Sequence, residues 1–394
     1  MNLPSRRSFA EARMRLGSFD RFLLLYGAIF AAFGVASPFL PALLHQRGLW
    51  PSEIGAVLAA GTAIRLITGP VISRFADRLG KHQQILTALL VTAAVIAFGY
   101  SLPAGFAIFL IVSAAHASAL APIVPIADAM TLAAASGRFQ YGWVRGGASA
   151  AFVVGAVGAG QVVQATSFDG IIWMNGTLLA LAAVAALWLP RNALDRPAAP
   201  GRADVRALLA APGFLPLMAL AALVMSSHAL HDGFEVLRWA DGGIGPGAAG
   251  LLWSEGVLAE VVVFVVVGPA LLKRLGPAGA AALAASAGVV RWSVTAVTAW
   301  LPAMALVEPL HGLTFALLHL ACMQMLSVVT PPALAATAQG LYGGIAVGTM
   351  TAIMTLVSGP LYGAFGPRAF WFMALLCAAA LPIAFAMRKI SMKA

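Results

Sequence analysis

The sequence predicts an all-α integral membrane protein of about twelve transmembrane helices arranged as two related, pseudo-symmetric six-helix bundles. Three observations predict it. Twelve apolar stretches reach span length, Lys and Arg crowd the loops on one side of those spans, and a Gly/Pro pattern returns after half the chain. Of the 394 residues, 61% are hydrophobic and 10% are charged, whereas a soluble domain carries roughly a quarter charged residues. A soluble chain of this size has too much polar surface to cover for such a composition.

The first six spans fall near Phe19 to Leu44, Ile54 to Ile72, Ile85 to Leu102, Gly105 to Ala133, Val144 to Val163 and Ile171 to Leu189. Six more follow near Phe214 to Glu235, Ala248 to Leu272, Ala278 to Ala299, Ala303 to Val328, Ala338 to Tyr362 and Ala369 to Met387. Lipid offers no partner to an open backbone, so each span must be helical, and their length and period exclude a barrel. Between the two sets, residues 190–213 form the one long polar stretch of the interior, rich in Pro, Ala and Arg. They read as a cytoplasmic linker with a short interfacial helix, separating a bundle over 19–189 from one over 214–387. Residues 1–18 read as a basic N-terminal arm carrying Arg6, Arg7, Arg13 and Arg15, not as a cleaved signal peptide, and 388–394 as a short tail.

Of the 24 Lys and Arg, 19 lie in or beside the loops that an inside N-terminus makes cytoplasmic. The opposite loops hold only Arg47, Arg238 and Arg368, and Arg65 and Arg291 lie within spans. The positive-inside rule therefore places both termini in the cytoplasm of a bacterial-type inner membrane. The same asymmetry absorbs most of the net charge of +10, so the basic balance points to an anionic lipid surface and away from nucleic acid.

Pro51, Gly55, Gly61 and Arg65 return as Pro246, Gly250, Gly256 and Glu260, all at an offset of 195, matching spans 2 and 8. Tyr141, Gly142 and Gly147 return as Tyr342, Gly343 and Gly348 at an offset of 201, matching spans 5 and 11. Such symmetry belongs to two bundles related by an axis along the membrane normal, with a site between them near the midplane. Most of the glycines also have a packing role, because small residues let helices approach closely in lipid.

An ionisable side chain at membrane depth needs a partner, a cavity or a task. In the first half these are Arg65, His116, Asp128 and Arg145. Arg65, Asp128 and Arg145 fall at similar depth, which predicts a salt-bridged cluster. In span 7, His228, His231, Asp232 and Glu235 share one helical face, with Glu235 and Asp232 expected near the headgroups and His228 in the interior. Span 8 carries Glu255 and Glu260 on different faces, span 9 carries Arg291, and span 10 aligns Glu308, His311 and His319. Arginine, histidine and carboxylate together suit a proton-coupled carrier, since a carboxyl group in an apolar cavity holds a proton near neutral pH and histidine titrates beside it. For His116 and His319, packing and function remain equal alternatives. Trp253 and Trp292, beside Glu255 and Arg291, offer either a stacking surface for a ring or ordinary helix packing. Cys322 and Cys377 sit in apolar runs and provide no disulfide framework. No HExxH, GxSxG or P-loop is present, so neither a catalytic residue, a metal nor a cofactor is expected.

These residues resemble the major facilitator superfamily over essentially the whole chain. Between spans 2 and 3, Ser73-Arg-Phe-Ala-Asp77-Arg78-Leu-Gly80-Lys81-His82 is similar to that superfamily's loop signature, departing from it at Ser73 and His82. The resemblance implies a conformational latch at Asp77, Arg78 and Gly80. More pointed are Pro122-x-x-Pro125-x-x-Asp128, Tyr141-Gly-x-x-Arg145, Leu252-Trp253-Ser-x-Gly256-x-x-Ala-Glu260, Gly288-Val-Val-Arg291-Trp292 and Leu310-His311. These resemble the phenylpropionate permease group and, more distantly, lactose permease and the oligosaccharide/proton symporters. The resemblance implies a major facilitator fold and secondary active symport of a small organic solute, aromatic or carboxylated, with protons, by alternating access in a monomer. Efflux, facilitated passage, or nucleoside or sugar symport on the same fold are the alternatives. By the lactose permease likeness, Arg145 matches a substrate-site arginine, and Arg291 and His311 match an arginine and a histidine of the proton-coupling region. Thr314 stands where that permease has a carboxylate, which leaves Glu255, Glu260 and Glu308 as carriers of the proton.

Overall fold

The structure is a computed structural model that describes residues 17–135, 139–189, 205–331 and 334–391. The expected N-terminal arm lies outside the described residues except at its last two positions, as does the linker up to residue 204 and the end of the tail from residue 392. Among the described residues every regular element is a helix.

The helices of the first half are α1 (Ser18–Gln46), α2 (Pro51–Leu79), α3 (His82–Ala97), α4 (Phe106–Leu120), α5 (Ile123–Ala135), α6 (Tyr141–Ala165) and α7 (Asp169–Leu187). A six-residue helix, α8 (Val205–Ala210), follows in the segment between the halves. The second half comprises α9 (Phe214–Ser226), α10 (Ala229–Asp241), α11 (Pro246–Val262), α12 (Gly268–Val297), α13 (Leu301–Val307), α14 (Leu318–Val329), α15 (Ala335–Leu341), α16 (Met350–Phe365) and α17 (Phe370–Ser391). Ten continuous helical stretches among the described residues are long and apolar enough to cross a membrane. Two of them, Pro246–Val297 and Thr337–Arg388, run for 52 residues. At 1.5 Å per residue each is more than twice the roughly 30 Å of a bilayer core, so each has room for two crossings, which is consistent with twelve. Each also breaks at a Gly-Pro pair. Gly276 has φ +67° before Pro277, and Gly366 has φ +54° before Pro367. Glycine reaches that left-handed region without a side-chain clash, and the proline then forbids the helix from running straight through.

Within the first half α1 packs on α6 and α7, α2 on α4, and α3 on α7; within the second half α12 packs on α17 and α14, and α9 on α17. Across the halves α2 meets α16, α11 meets α6, and α1 meets α10. The sequence repeat supplies the reason. Gly55 and Gly250 are repeat-related, and both sit where backbones touch: a Cβ on Gly55 would lie 2.9 Å from the Cα of Gly359, and one on Gly250 would lie 2.7 Å from the carbonyl oxygen of Ala156. These close approaches lie at the end of the bundle where α2 and α11 begin, remote from the end where α1 begins and α17 finishes. Large aliphatic side chains such as Ile111, Val154, Val265 and Leu306 point outward, a surface that water does not tolerate and lipid does.

Candidate functional site

Between the halves lies a cavity of about 630 Å³. Its first-half wall carries Arg65, His116, Tyr100, Phe30, Phe33 and Phe152, and its second-half wall carries His231, Asp232, Trp253, Glu260, Glu308 and His311.

A buried charged cluster forms the second-half wall. Arg291, on α12, is fully buried and its Nη2 donates to Glu308 Oε2 at 2.7 Å. Its Nη1 lies 2.9 Å from His311 Nδ1, and His311 Nε2 lies 2.6 Å from Glu260 Oε1. A guanidinium only donates, so Nδ1 of His311 is the acceptor. The ring proton therefore sits on Nε2 and is donated to Glu260. His231 extends the chain: Nε2 stands 3.5 Å from Glu308 Oε2 and Nδ1 stands 3.0 Å from Asp232 Oδ1. Glu260, His311, Arg291, Glu308, His231 and Asp232 thus form one continuous path across α10, α11, α12 and the helical segment containing Glu308 and His311. Trp253 covers it on the cavity side, stacked on His231 with ring centroids 4.6 Å apart. Trp292 is buried, with its Nε1 donating to Ser227 Oγ at 3.0 Å, which makes it a packing residue and not a cavity surface.

Local backbone choices position these groups. His311 precedes a π-helical segment, Gly312–Leu317, and such wide turns inside helices commonly mark functional sites. A Cβ on Gly312 would come within 2.6 Å of the Ala259 carbonyl oxygen, so glycine is what lets α11 come close enough for Glu260, the next residue, to reach His311. Gly312→Val is expected to destabilise the protein by about 1–3 kcal/mol through overpacking. It should also separate Glu260 from His311. Thermal unfolding in detergent, read beside solute accumulation in vesicles, checks both effects; unchanged accumulation would show that the close approach is dispensable.

Several residues lie elsewhere than expected. Glu235, expected near the headgroups, is fully buried inside the bundle, and both carboxyl oxygens lack a hydrogen-bond partner among the described residues. The reason is that the helical stretch beginning at Phe214 runs on to Asp241, which leaves Glu235 more than a turn inside it. Asp232 lines the cavity. The cluster of Arg65, Asp128 and Arg145 splits in two. Asp128 accepts hydrogen bonds from Tyr26 and, at 2.8 Å, from Tyr141, with Arg145 Nη1 4.0 Å away and its guanidinium 4.8 Å over the Phe30 ring. Arg65 instead lines the cavity. Similar depth did not bring these three together, because depth fixes height along the bundle and leaves the facing direction open. His228 is buried between the Met225 carbonyl oxygen and Thr314, whose hydroxyl is 2.9 Å from Nε2. Glu255 is half-exposed and is joined by no hydrogen bond or ion pair to a described residue. Across the junction of α2 and α3, Asp77 in the last turn of α2 lies 2.9 Å from Nε2 of His82, the first residue of α3. Gly80, at φ +63°, caps α2, and Arg78 is exposed. His231 and Glu235 are the interior residues that sequence reasoning missed, although their i, i+4 spacing on the face of His228 was the signal for them.

Two packed helical halves enclosing a cavity with charge on both walls define a secondary transporter of the major facilitator fold. Residues 19–373 match the MFS_1-like family, and the chain belongs to it. Among curated proteins it is 31% identical to the probable 3-phenylpropionic acid transporter of Escherichia coli (strain K12), over 93% of this chain and 96% of that one. It is 27% identical to the maltose permease of Geobacillus stearothermophilus, over 86% of each. Among solved structures the nucleoside transporter NupG superposes with a TM-score of 0.80 at 15% identity, covering 95% of this chain and 99% of that one, a likeness of fold.

Proposed function

We propose that this transporter takes up a small carboxylated organic solute together with protons, by alternating access, as a monomer in a bacterial inner membrane with both termini in the cytoplasm. The observation that carries this reading is the hydrogen-bonded path from Glu260 through His311 and Arg291 to Glu308, both ends of which line the cavity.

The chemistry follows from who can donate. While His311 is neutral, Nδ1 accepts from Arg291; once a proton arrives on that nitrogen, the ring repels the guanidinium and the contact is lost. A protonated Glu260 donates to Nε2, so the ring proton moves to Nδ1 and faces the guanidinium, with the same result. Either event frees Arg291 to lean wholly on Glu308, and so couples a proton at the cavity wall to the packing of α10, α11 and α12. A bistable pair of halves turns that local change into closure of one side and opening of the other. The glycine-mediated contact of α2 with α16 and of α6 with α11 forms one of the two seals.

The relative from Escherichia coli, named for 3-phenylpropionic acid, supports a carboxylated aromatic solute, and the aromatic side chains of the cavity suit it. The test is uptake of labelled 3-phenylpropionate into right-side-out vesicles. Accumulation should rise as external pH falls and collapse on adding a protonophore. Accumulation that ignores both would remove proton coupling and leave facilitated passage or export.

A further inference from the structure

Arg65 and Glu260 occupy equivalent positions of the internal repeat, on α2 and α11, and both line the cavity. Glu260 is satisfied by His311 at 2.6 Å. Arg65 is not: no hydrogen bond or ion pair joins its guanidinium to any described residue. A cation without a counter-ion inside a membrane protein is costly and marks a ligand pathway. Next to it on the same wall is His116, whose ring is 6% exposed and stands 5.9 Å from that of Tyr100, and whose Nε2 has no hydrogen-bond partner. Two unpaired nitrogen groups on one wall await one acceptor.

We propose that Arg65 and His116 form the binding site for the carboxylate of the transported solute, which is a monocarboxylate with an apolar or aromatic body. The assignment rests on the reading that the cavity carries a carboxylated solute. Resemblance had pointed instead to Arg145, but that side chain lies outside the cavity lining, 4.0 Å from Asp128 and stacked on Phe30. Arg65 presents a forked set of donors to the carboxylate, and His116 adds one N–H from its neutral form. The remaining surface selects the body of the solute. Phe30, Phe33, Phe152 and Trp253 offer apolar and ring faces, whereas the His231, His311 and Arg291 of the opposite wall are already paired with Asp232, Glu260 and Glu308. A second carboxylate therefore finds no cation there, and a dicarboxylate binds more weakly. Binding also supplies Arg65 with the counter-ion that the protein itself withholds, so the loaded cavity is less costly to close than the empty one.

The test compares equilibrium binding of 3-phenylpropionate to the purified full-length wild type, Arg65→Gln, Arg65→Lys and His116→Ala, with thermal unfolding of each as a check on folding. Charge-assisted hydrogen bonds of this kind predict about 10- to 100-fold weaker binding for Arg65→Gln. Arg65→Lys, which keeps the charge, should recover most of that loss, and His116→Ala should show a smaller one. The dicarboxylate phenylsuccinate should bind the wild type more weakly than 3-phenylpropionate. Wild-type protein that binds neither 3-phenylpropionate nor a series of other monocarboxylates overturns both the solute reading and this site. Wild-type binding that Arg65→Gln leaves unchanged overturns the site alone, and assigns Arg65 to a partner within the chain in another state of the transport cycle. Equal loss in Arg65→Gln and Arg65→Lys, with lowered unfolding temperatures in both, overturns it as well, because Arg65 is then structural.

Discussion

Arg291→Ala is expected to cost about 3–5 kcal/mol of stability and to abolish solute accumulation. The guanidinium is fully buried, and Glu308, which it meets at 2.7 Å, is 1% exposed. Removing the arginine leaves a carboxylate in the interior with one oxygen already unpartnered and only His231, at 3.5 Å, to answer its charge. It also removes the donor that holds His311 in the tautomer serving Glu260. Taking both charges away is milder than taking one, because the cost of a buried ion pair lies in the uncompensated partner. The double variant Arg291→Gln with Glu308→Gln should therefore be more stable than Arg291→Ala, while remaining unable to concentrate solute. Unfolding in detergent, followed by a tryptophan signal and by loss of monodisperse protein, gives the comparison. An Arg291→Ala variant as stable as the wild type would mean that the pair is not buried in the working protein.

Glu260→Gln has the second largest expected effect, and it separates two activities. Of the carboxylates in the path, Glu260 is the one held at 2.6 Å by a histidine while also lining the cavity, where solute and proton both reach it. Glutamine keeps the size and an acceptor oxygen for the His311 N–H, so the wall should keep its shape. It cannot exchange a proton, so net uphill accumulation should be lost entirely, whereas exchange of labelled for unlabelled solute, which needs no net proton movement, should continue near the wild-type rate. Loss of exchange together with accumulation would assign Glu260 to solute binding. Intact accumulation would pass the proton to Glu308 or to Glu235, whose buried carboxyl group has no hydrogen-bond partner in the structure.

Much of the architecture was legible without coordinates, and particular residues show why. The breaks at Gly276-Pro277 and Gly366-Pro367 fall in the gaps between predicted spans, since a left-handed glycine followed by proline ends a helix in any surroundings. The Gly55 and Gly250 repeat announced two related halves, and both residues lie at contacts between them. The site was legible only in part. Arg291, His311 and Glu308 could be listed from the rarity of charge in spans, but their pairing could not, and Trp292 and Trp253 looked alike in sequence although one is packed away and the other stacks over His231. The burial of Glu235 was not legible because hydropathy falls away at the end of a span while the helix itself continues to Asp241.

What the sequence alone determined is everything that depends on the lipid: which segments must be helical, how long they must be, where they break, and which few residues carry charge at depth. Hydrocarbon imposes those terms locally, on each stretch of backbone and each ionisable group, so they can be read one span at a time. Only the tertiary structure decided which way each charge faces. The sequence places Arg65 and Arg145 at similar depth on two helices of the same bundle, yet Arg145 lies beside Asp128 while Arg65 lines the cavity with no hydrogen bond or ion pair to a described residue. A difference of that kind arises from the rotation of one helix against its neighbours, which is set by packing between side chains far apart in the chain.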